Sequence, residues 1–173
     1  MNLIECTYEA HAAPILDILN EAIIHSTALY DYQPRPFASM RGWFDLKARN
    51  RHPVLGAVDR DGALLGFASY GAFRPHAAYK YSIEHSIYVH REHRGLGIGR
   101  ALLARLIELA TEQEYHVMVG GIDRENLASI ALHEKLGFEP AGVIRHAGYK
   151  FGRWLDLAFY QRLLAGPRAP VEG

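Results

Sequence analysis

Residues 86–103 read SIYVHREHRGLGIGRALL, in which an apolar segment is followed by a basic, glycine-alternating turn and then by an apolar segment with helical spacing. Glycine lets the backbone turn sharply and approach a ligand closely. The unpaired N–H groups and the positive dipole end at the start of the following helix attract oxyanions. The segment therefore predicts a strand, a pyrophosphate-binding turn and a helix, in that order.

Two common phosphate-binding motifs do not fit this turn. A P-loop requires Lys followed by Ser or Thr after its glycines, and no such pair follows Gly99. The dinucleotide fingerprint requires a third glycine where Arg100 stands, and the next apolar segment, residues 115–119, ends without an acid for a ribose. The remaining pattern is R-G-x-G-x-G from Arg94 to Gly99. A glycine-rich turn without a ligand is the alternative, but three alternating glycines disfavour a helix start unless close approach is required.

Composition limits the class of protein. The chain has 173 residues, of which 49% are hydrophobic, so it can form one domain with a sizeable core. Its 19 basic and 19 acidic residues cancel, which argues against nucleic acid or a membrane surface as a partner. Positive charge is concentrated around the glycine turn, where it suits a small phosphate-bearing ligand. These basic residues are Arg91, Arg94, Arg100 and Arg105.

The cysteine content and the search for targeting segments limit the class of protein further. Cys6 is the only cysteine, so an intrachain disulfide is excluded and a thiolate zinc site is disfavoured; we predict no metal. No apolar run approaches the roughly 18 residues that a membrane-spanning helix needs. The first residues contain no basic segment followed by an apolar run, so a cytoplasmic location is predicted.

Hydrophobic periodicity predicts an α/β (α+β) fold in which a mixed sheet of about seven strands is flanked by about four helices, in the order β-α-α-β-β-β-α-β-α-β-β. The first helix is predicted with Pro14 in its first turn and apolar positions up to Ile23. The other predicted helices cover residues 37–49, 97–112 and 126–136. The predicted strands cover residues 2–6, 54–58, 63–73, 79–90, 116–122, 138–145 and 154–163. We predict a single domain over residues 1–165 and a flexible tail over 166–173.

The predicted helix after residue 125 has well-marked ends. Asn126 is a favourable N-cap residue, and Gly137 is a typical left-handed terminator. His133 lies on this helix beside Leu132 and Leu136. It is either a half-buried structural side chain or, because imidazole exchanges protons near neutrality, a proton donor.

The glycine turn and this second helix together resemble the two acetyl-CoA-binding motifs of the GNAT N-acetyltransferase superfamily. The resemblance implies acetyl-CoA as co-substrate, bound by Ile87, Tyr88, Val89, Arg94, Gly95, Leu96, Gly97, Ile98, Gly99, Arg100, Asn126 and Ser129. The superfamily often has a Tyr four residues before the helix-ending glycine, where it protonates the CoA thiolate. His133 stands at that position here and is the candidate for the same role.

The strand that leads into the turn carries the second catalytic candidate. Alternation places Glu84 on the same face as Ser82 and Tyr88, and His85 on the opposite face. Acetyl transfer requires a neutral amine, and partial burial moves a carboxylate pKa toward the range useful for a base. Glu84 is therefore either a general base, or a carboxylate that lies on a solvated sheet face or is paired with an arginine.

Several segments are similar to those of the phosphinothricin and methionine sulfoximine N-acetyltransferases, over about residues 20–162: 69–75, 84–89, 129–134 and 147–156. This likeness implies direct attack, in a ternary complex, by the α-amine of a small glutamate- or methionine-like amino acid. It also implies a homodimer and a carboxylate clamp at Arg74. The implied substrate-binding residues are Phe73, Arg74, Pro75, His76, Glu84, His85 and Ser86.

Two alternatives remain. The first keeps acetyl-CoA but changes the acceptor to a protein N-terminus, an aminoglycoside or a polyamine. A polyamine site should be strongly acidic, whereas the wall around Arg74 is basic and aromatic. The second is an acyl-CoA-binding sensor without turnover, against which Glu84 and His133 argue.

Overall fold

Seven strands and four helices follow one another in the predicted order within residues 1–172, which the computed structural model describes. The strands are β1 (Asn2–Glu5), β2 (Val54–Val58), β3 (Leu64–Ala72), β4 (Ser82–Val89), β5 (Val117–Asp123), β6 (Glu139–Lys150) and β7 (Arg153–Leu163). The helices are α1 (Tyr8–His25), α2 (Ser39–Arg49), α3 (Ile98–Glu112) and α4 (Leu127–Lys135). The predicted α/β fold class is confirmed.

The strands form one sheet in the order β1-β2-β3-β4-β5-β7-β6. β4 and β5 are parallel, whereas the pairs β1/β2, β2/β3, β5/β7 and β6/β7 are antiparallel. The parallel ladder runs from Ser82 opposite Val117 to His85 opposite Gly120. Ser86–Val89, the second half of β4, lies beyond this paired segment.

The chain divides into two compact units. The first comprises Met1–Tyr70 and Ser86–Leu106. Its core is formed by apolar side chains of α1, α2, β2 and β3, because each helix buries one apolar face and the two strands are buried over most of their length. The largest of these buried side chains include Ile15, Leu16, Leu19, Met40, Phe44 and Phe67.

The second unit comprises Gly71–His85 and the chain from Ile107 onward. Its buried side chains include Ile83, Met118, Ile122, Phe138 and Leu155. Hydrogen bonds from Val171 N–H to the Tyr81 hydroxyl and between His116 Nδ1 and the Gly166 carbonyl hold part of the segment after residue 165. The single domain over residues 1–165 and the flexible tail stay predictions, and Gly173 lies outside the described residues.

Helix α1 begins earlier than predicted. Its N-cap is Thr7, whose hydroxyl accepts from Ala10 N–H at 3.4 Å while its own N–H donates to His11 Nδ1 at 3.0 Å. Pro14 therefore lies inside the helix rather than in its first turn, and the prediction was wrong on this point. Proline removes a helical hydrogen bond, so burial of the apolar face, including Ile15, must offset that loss.

Two strand boundaries also differ from the prediction. β4 begins at Ser82 rather than residue 79, because Ala77–Tyr79 forms a short 3₁₀ turn. β6 continues to Lys150, since it pairs with β7 across a turn at Phe151 and Gly152, both with positive φ. Pairing with the next strand of this hairpin therefore extends β6 beyond what its own apolar pattern indicates.

Strand β3 approaches the backbone of β4 closely at Gly66. A Cβ atom at this position would lie 2.8 Å from the Tyr88 carbonyl oxygen and 3.1 Å from Val89 Cα. A side chain there must displace backbone rather than a flexible side chain. Gly66 thus sets the spacing of the strand that leads into the glycine turn.

We predict that Gly66→Ala lowers the free energy of unfolding by roughly 1–3 kcal/mol, because the added methyl group overpacks this contact. Gly42→Ala is the matched control: Gly42 lies within α2, where a Cβ meets no atom within 4 Å. It should raise stability by up to about 1 kcal/mol through helix propensity. Urea unfolding measures both, and a Gly66→Ala protein as stable as wild type would contradict the close approach.

Candidate active site

The glycine-alternating turn has the backbone of an anion-binding loop. Gly95 and Gly97 have φ of +81° and +79°, a region that L side chains rarely adopt. A Cβ at either position would meet no atom of the described residues within 4 Å, so the space beside the turn is open. The Ala101 N–H donates to the Gly97 carbonyl at 3.1 Å, so the N–H groups of residues 98–100 precede the helical ladder of α3. Such groups are available to an oxyanion.

Arg94 is held beside this turn by two contacts. Its Nη2 lies 3.1 Å from Glu21 Oε2, and its Nε donates to the Val89 carbonyl at 3.2 Å. The guanidinium therefore has a defined position between Glu21 and the Val89 carbonyl. Glu21 was missed in the sequence, because 73 residues separate it from Arg94 and no local pattern links them.

The second unit brings together three of the predicted acceptor residues. Arg74 Nη1 lies 3.9 Å from Glu84 Oε2 and donates to the Phe73 carbonyl at 2.7 Å. The Arg74 guanidinium carbon also lies 4.1 Å from the centre of the Phe73 ring. The side chains of Arg74 and Glu84 are 46% and 38% exposed, so a solute can reach both. A cation, a carboxylate and an aromatic ring thus share one small surface.

Burial and charge act in opposite directions on Glu84. Partial burial raises the pKa of its carboxyl group, and the nearby Arg74 guanidinium lowers that pKa by a smaller amount. The net effect is a carboxylate with a higher proton affinity than an ordinary glutamate, as a general base requires. Gly121 is next to this carboxylate, since a Cβ there would lie 3.2 Å from Glu84 Oε1.

The other predicted acceptor residues are less closely tied to Glu84. Pro75 and His76 are exposed in the loop after β3, and Ser86 is half-buried two positions after Glu84. Tyr79, which was not predicted, packs against Phe73 with ring centres 5.8 Å apart. The roles of Pro75, His76 and Ser86 stay predictions.

His85 lies on the face of β4 opposite Glu84, and its assignment as an acceptor residue stays a prediction. It is only 7% exposed, because alternation along β4 turns it to the face opposite Glu84. Its Nε2 lies 3.0 Å from His133 Nε2, and the two rings are stacked with centres 5.0 Å apart. Burial lowers the pKa of both imidazoles. His133 is 1% exposed, and its role as the thiolate acid stays a prediction.

Helix α4 has the predicted ends. Asn126 is the N-cap, with its Oδ1 accepting from Ser129 N–H at 3.1 Å, and Gly137 follows the helix with φ +78°. This capping bond leaves the carboxamide nitrogen of Asn126 available as a donor. Asn126 and Ser129 therefore occupy the first turn of α4, where N–H groups and the helix dipole favour acceptor atoms of a ligand.

Two consecutive glycines in β5 were also missed. A Cβ at Gly120 would lie 2.9 Å from His85 Nε2 and 3.1 Å from His133 Nε2, and Gly121 faces Glu84. Glycine inside a strand signals close approach by another group. The Gly-Gly pair within this apolar segment is the signal from which both positions could have been found.

No group of three or more His, Cys, Asp or Glu side chains within residues 1–172 is arranged to hold a metal ion. Cys6 is buried, and burial raises the pKa of its thiol to about 12, which disfavours the thiolate. Among these same residues, no helix has the length and apolar character needed to cross a membrane.

Comparison with known proteins identifies the family. The model of the Acetyltransferase (GNAT) family matches residues 15–138. An L-methionine sulfoximine/L-methionine sulfone acetyltransferase of Pseudomonas paraeruginosa is 48% identical over 147 residues, which cover 85% of this chain and 86% of the relative.

Two solved structures are also similar. An N-acetyltransferase from Staphylococcus aureus superposes with a TM-score of 0.90 at 46% identity, covering 94% of this chain and 97% of the other. A GNAT superfamily phosphinothricin acetyltransferase from Sinorhizobium meliloti, in complex with AcCoA, gives a TM-score of 0.93 at 37% identity, covering 99% and 92%. These findings confirm the resemblance that the glycine turn and the second helix indicated. The chain belongs to the GNAT family of acetyltransferases.

Proposed function

We propose that this protein transfers the acetyl group of acetyl-CoA to the α-amine of a small glutamate- or methionine-like amino acid. The observation that carries the proposal is the exposed pair of Arg74 and Glu84, 3.9 Å apart. An α-amino acid presents an ammonium and a carboxylate on one carbon, so a neighbouring base and cation match it. The names of the Pseudomonas paraeruginosa and Sinorhizobium meliloti relatives support this acceptor class, and the bound AcCoA of the latter supports the donor.

Acceptor recognition is assigned to Arg74. Among the described residues, the Phe73 carbonyl accepts from Nη1 alone, which leaves the other donors of the guanidinium for a carboxylate. The Phe73 ring supports the guanidinium plane by a cation–π contact and limits its rotation. Pro75 and His76 are assigned to the adjoining wall.

Glu84 is assigned as the general base. It accepts a proton from the acceptor ammonium, directly or through water, and the neutral nitrogen then attacks the thioester carbonyl carbon. Attack forms the new N–C bond and a tetrahedral oxyanion, and its collapse breaks the C–S bond so that CoA leaves as a thiolate. The nitrogen loses its second proton as the amide forms, and that proton passes, directly or through water, to the thiolate. Because burial raises the pKa of Glu84, proton transfer from the ammonium is less uphill than it would be to an ordinary glutamate.

The donor is assigned to separate groups along the chain. The pyrophosphate of acetyl-CoA is assigned to the turn Arg94–Arg100, where open space, positive charge and unpaired N–H groups occur together. Backbone N–H groups of Ile87–Val89 are assigned to the thioester oxygen and the pantetheine amides. Asn126 and Ser129 are assigned to the pantetheine arm or its phosphate.

We also propose that the protein is a homodimer. β6 and β7 expose large apolar side chains, among them Val143, Ile144 and Trp154. A second copy that covers this surface would remove it from water. The cytoplasmic location stays a prediction.

We predict that Gly97→Val abolishes acetyl-CoA binding measured by calorimetry. A β-branched residue is strained at φ +79°, and its side chain would occupy the open space beside the turn. Gly62→Val is the matched control, because Gly62 has φ +86° and equally open surroundings in the β2–β3 turn. The control should bind acetyl-CoA normally. Normal binding by a folded Gly97→Val protein would refute the assignment of the pyrophosphate.

We predict that the wild-type enzyme acetylates α-amino acids in preference to the corresponding amines without a carboxylate, and that Arg74→Ala loses this preference. The Michaelis constant for the amino acid should rise by one to two powers of ten, equivalent to about 1.5–3 kcal/mol for a charged hydrogen bond. Release of CoA thiol, measured with paired acceptors such as methionine sulfoximine and its decarboxylated analogue, tests both statements.

The same variant should also change the pH profile. Removal of the Arg74 charge removes the influence that lowers the pKa of Glu84, so the acidic limb of kcat/KM should move to higher pH. Arg60→Ala, at an exposed arginine of the β2–β3 turn, is the control and should leave both properties unchanged. Equal use of acceptors with and without a carboxylate by the wild-type enzyme would exclude the clamp.

We predict that Glu84→Gln lowers kcat by roughly 10²–10⁴-fold with little change in acetyl-CoA affinity, because the amide keeps the shape but cannot accept the proton. The wild-type rate should fall as the pH drops through the pKa of Glu84, since only the carboxylate is a base. The deficit of the variant should shrink toward alkaline pH, where the acceptor amine loses its proton to solvent. Glu139→Gln, at an exposed glutamate, is the control and should keep the wild-type kcat. If Glu84→Gln turned over at the wild-type rate at neutral pH, the general base would be another group.

A further inference from the structure

The contacts of His85 and His133 define where their protons lie. His133 Nδ1 is 2.7 Å from the Ser129 carbonyl oxygen. A carbonyl oxygen only accepts hydrogen bonds, so Nδ1 of His133 carries a proton and donates it. In a neutral imidazole the second nitrogen is then bare. His133 Nε2 is therefore an acceptor, and the atom that faces it is His85 Nε2, 3.0 Å away.

The protonation of His85 follows from that of His133. His85 must donate from Nε2, which leaves its own Nδ1 bare, and this buried atom has no hydrogen-bond partner among residues 1–172. A charged His133 would instead force a proton onto His85 Nδ1, and that N–H would be buried without an acceptor. Phe138 packs against both rings, with centres 5.5 Å from His85 and 5.0 Å from His133. These apolar surroundings disfavour a charge on either ring.

The pair links two elements that carry other candidate residues. His85 directly follows Glu84 on β4, and His133 lies in the last turn of α4, the helix that Asn126 caps. The hydrogen bond between them passes directly over Gly120 of β5, where a Cβ would lie within 3.1 Å of both Nε2 atoms. Glycine at this position is the steric condition for the pair.

We propose that His85 and His133 form a neutral positioning pair, which fixes β4 against α4 beside Glu84 and keeps His133 Nε2 as an acceptor rather than as a proton donor to the CoA thiolate. That the two rings form a neutral hydrogen-bonded pair is independent of the proposed function. That the pair positions Glu84 for catalysis rests on that function. The proposal replaces the earlier interpretation of His133 as the general acid. Glu84, two residues before Ser86 and on the opposite face from His85, keeps its place as the base.

Nuclear magnetic resonance of the full ¹⁵N-labelled chain tests the proton positions without any turnover. We predict a neutral Nδ1–H tautomer for His133 and a neutral Nε2–H tautomer for His85 between about pH 6 and pH 8. An Nε2–H on His133, or a charged ring on either residue near neutral pH, would overturn the proposal. Because this measurement reads the histidines directly, it is decisive even if acetyl transfer to amino acids is not found.

The kinetics of three variants test whether the pair positions Glu84. His85→Leu and His133→Phe should each lower kcat by roughly 10- to 100-fold through misplacement of Glu84, with unchanged shapes of the pH profile. His85→Gln should recover most of the lost kcat, because its amide N–H can reach the position of Nε2. A loss confined to His133→Phe, with His85→Leu fully active, would restore the general-acid role and refute positioning. Equal activity of all three variants and the wild type would refute it as well.

Discussion

The parallel ladder between β4 and β5 is the constraint on which the candidate acceptor residues depend. It places His85 opposite Gly120, so the faces of β4 acquire different environments at consecutive residues. One face holds the buried imidazole pair, and the other presents Glu84 beside Gly121. A slip of the ladder by one residue would exchange these faces, burying the carboxylate and exposing the histidine. Gly120 leaves room for the imidazole pair on one face, and Gly121 leaves room for the Glu84 carboxylate on the other.

The electrostatics of Glu84 follow from this placement. A fully buried carboxylate would need its counterion nearby to be ionised at all, whereas a fully exposed one would have an ordinary pKa. Glu84 lies between these limits, since burial raises its pKa and Arg74 opposes that effect at 3.9 Å. The same guanidinium therefore both offers donors to a solute and lowers the pKa of Glu84.

The backbone geometry of the glycine turn is determined within the turn itself. Positive φ at Gly95 and Gly97 exposes backbone N–H groups at the start of α3, and their direction depends only on the turn. Arg94 adds charge, and the long-range contact with Glu21 limits where that charge can go. The turn is thus preorganised for an anion, which reduces the entropy lost on binding.

The sequence alone determined the order of strands and helices, the glycine turn, and the Asn126 and Gly137 ends of α4, because hydrophobic period, capping and left-handed glycine act within a few residues. The tertiary structure decided which side chains meet. Residues 48 positions apart form the imidazole pair, and Pro14 is tolerated inside α1 because that helix packs on a core. Such contacts depend on strand register and packing, which sum over many residues and leave no local pattern. Alternation along β4 was enough to place His85 opposite Glu84, whereas only packing decided that it would be buried against His133 of α4.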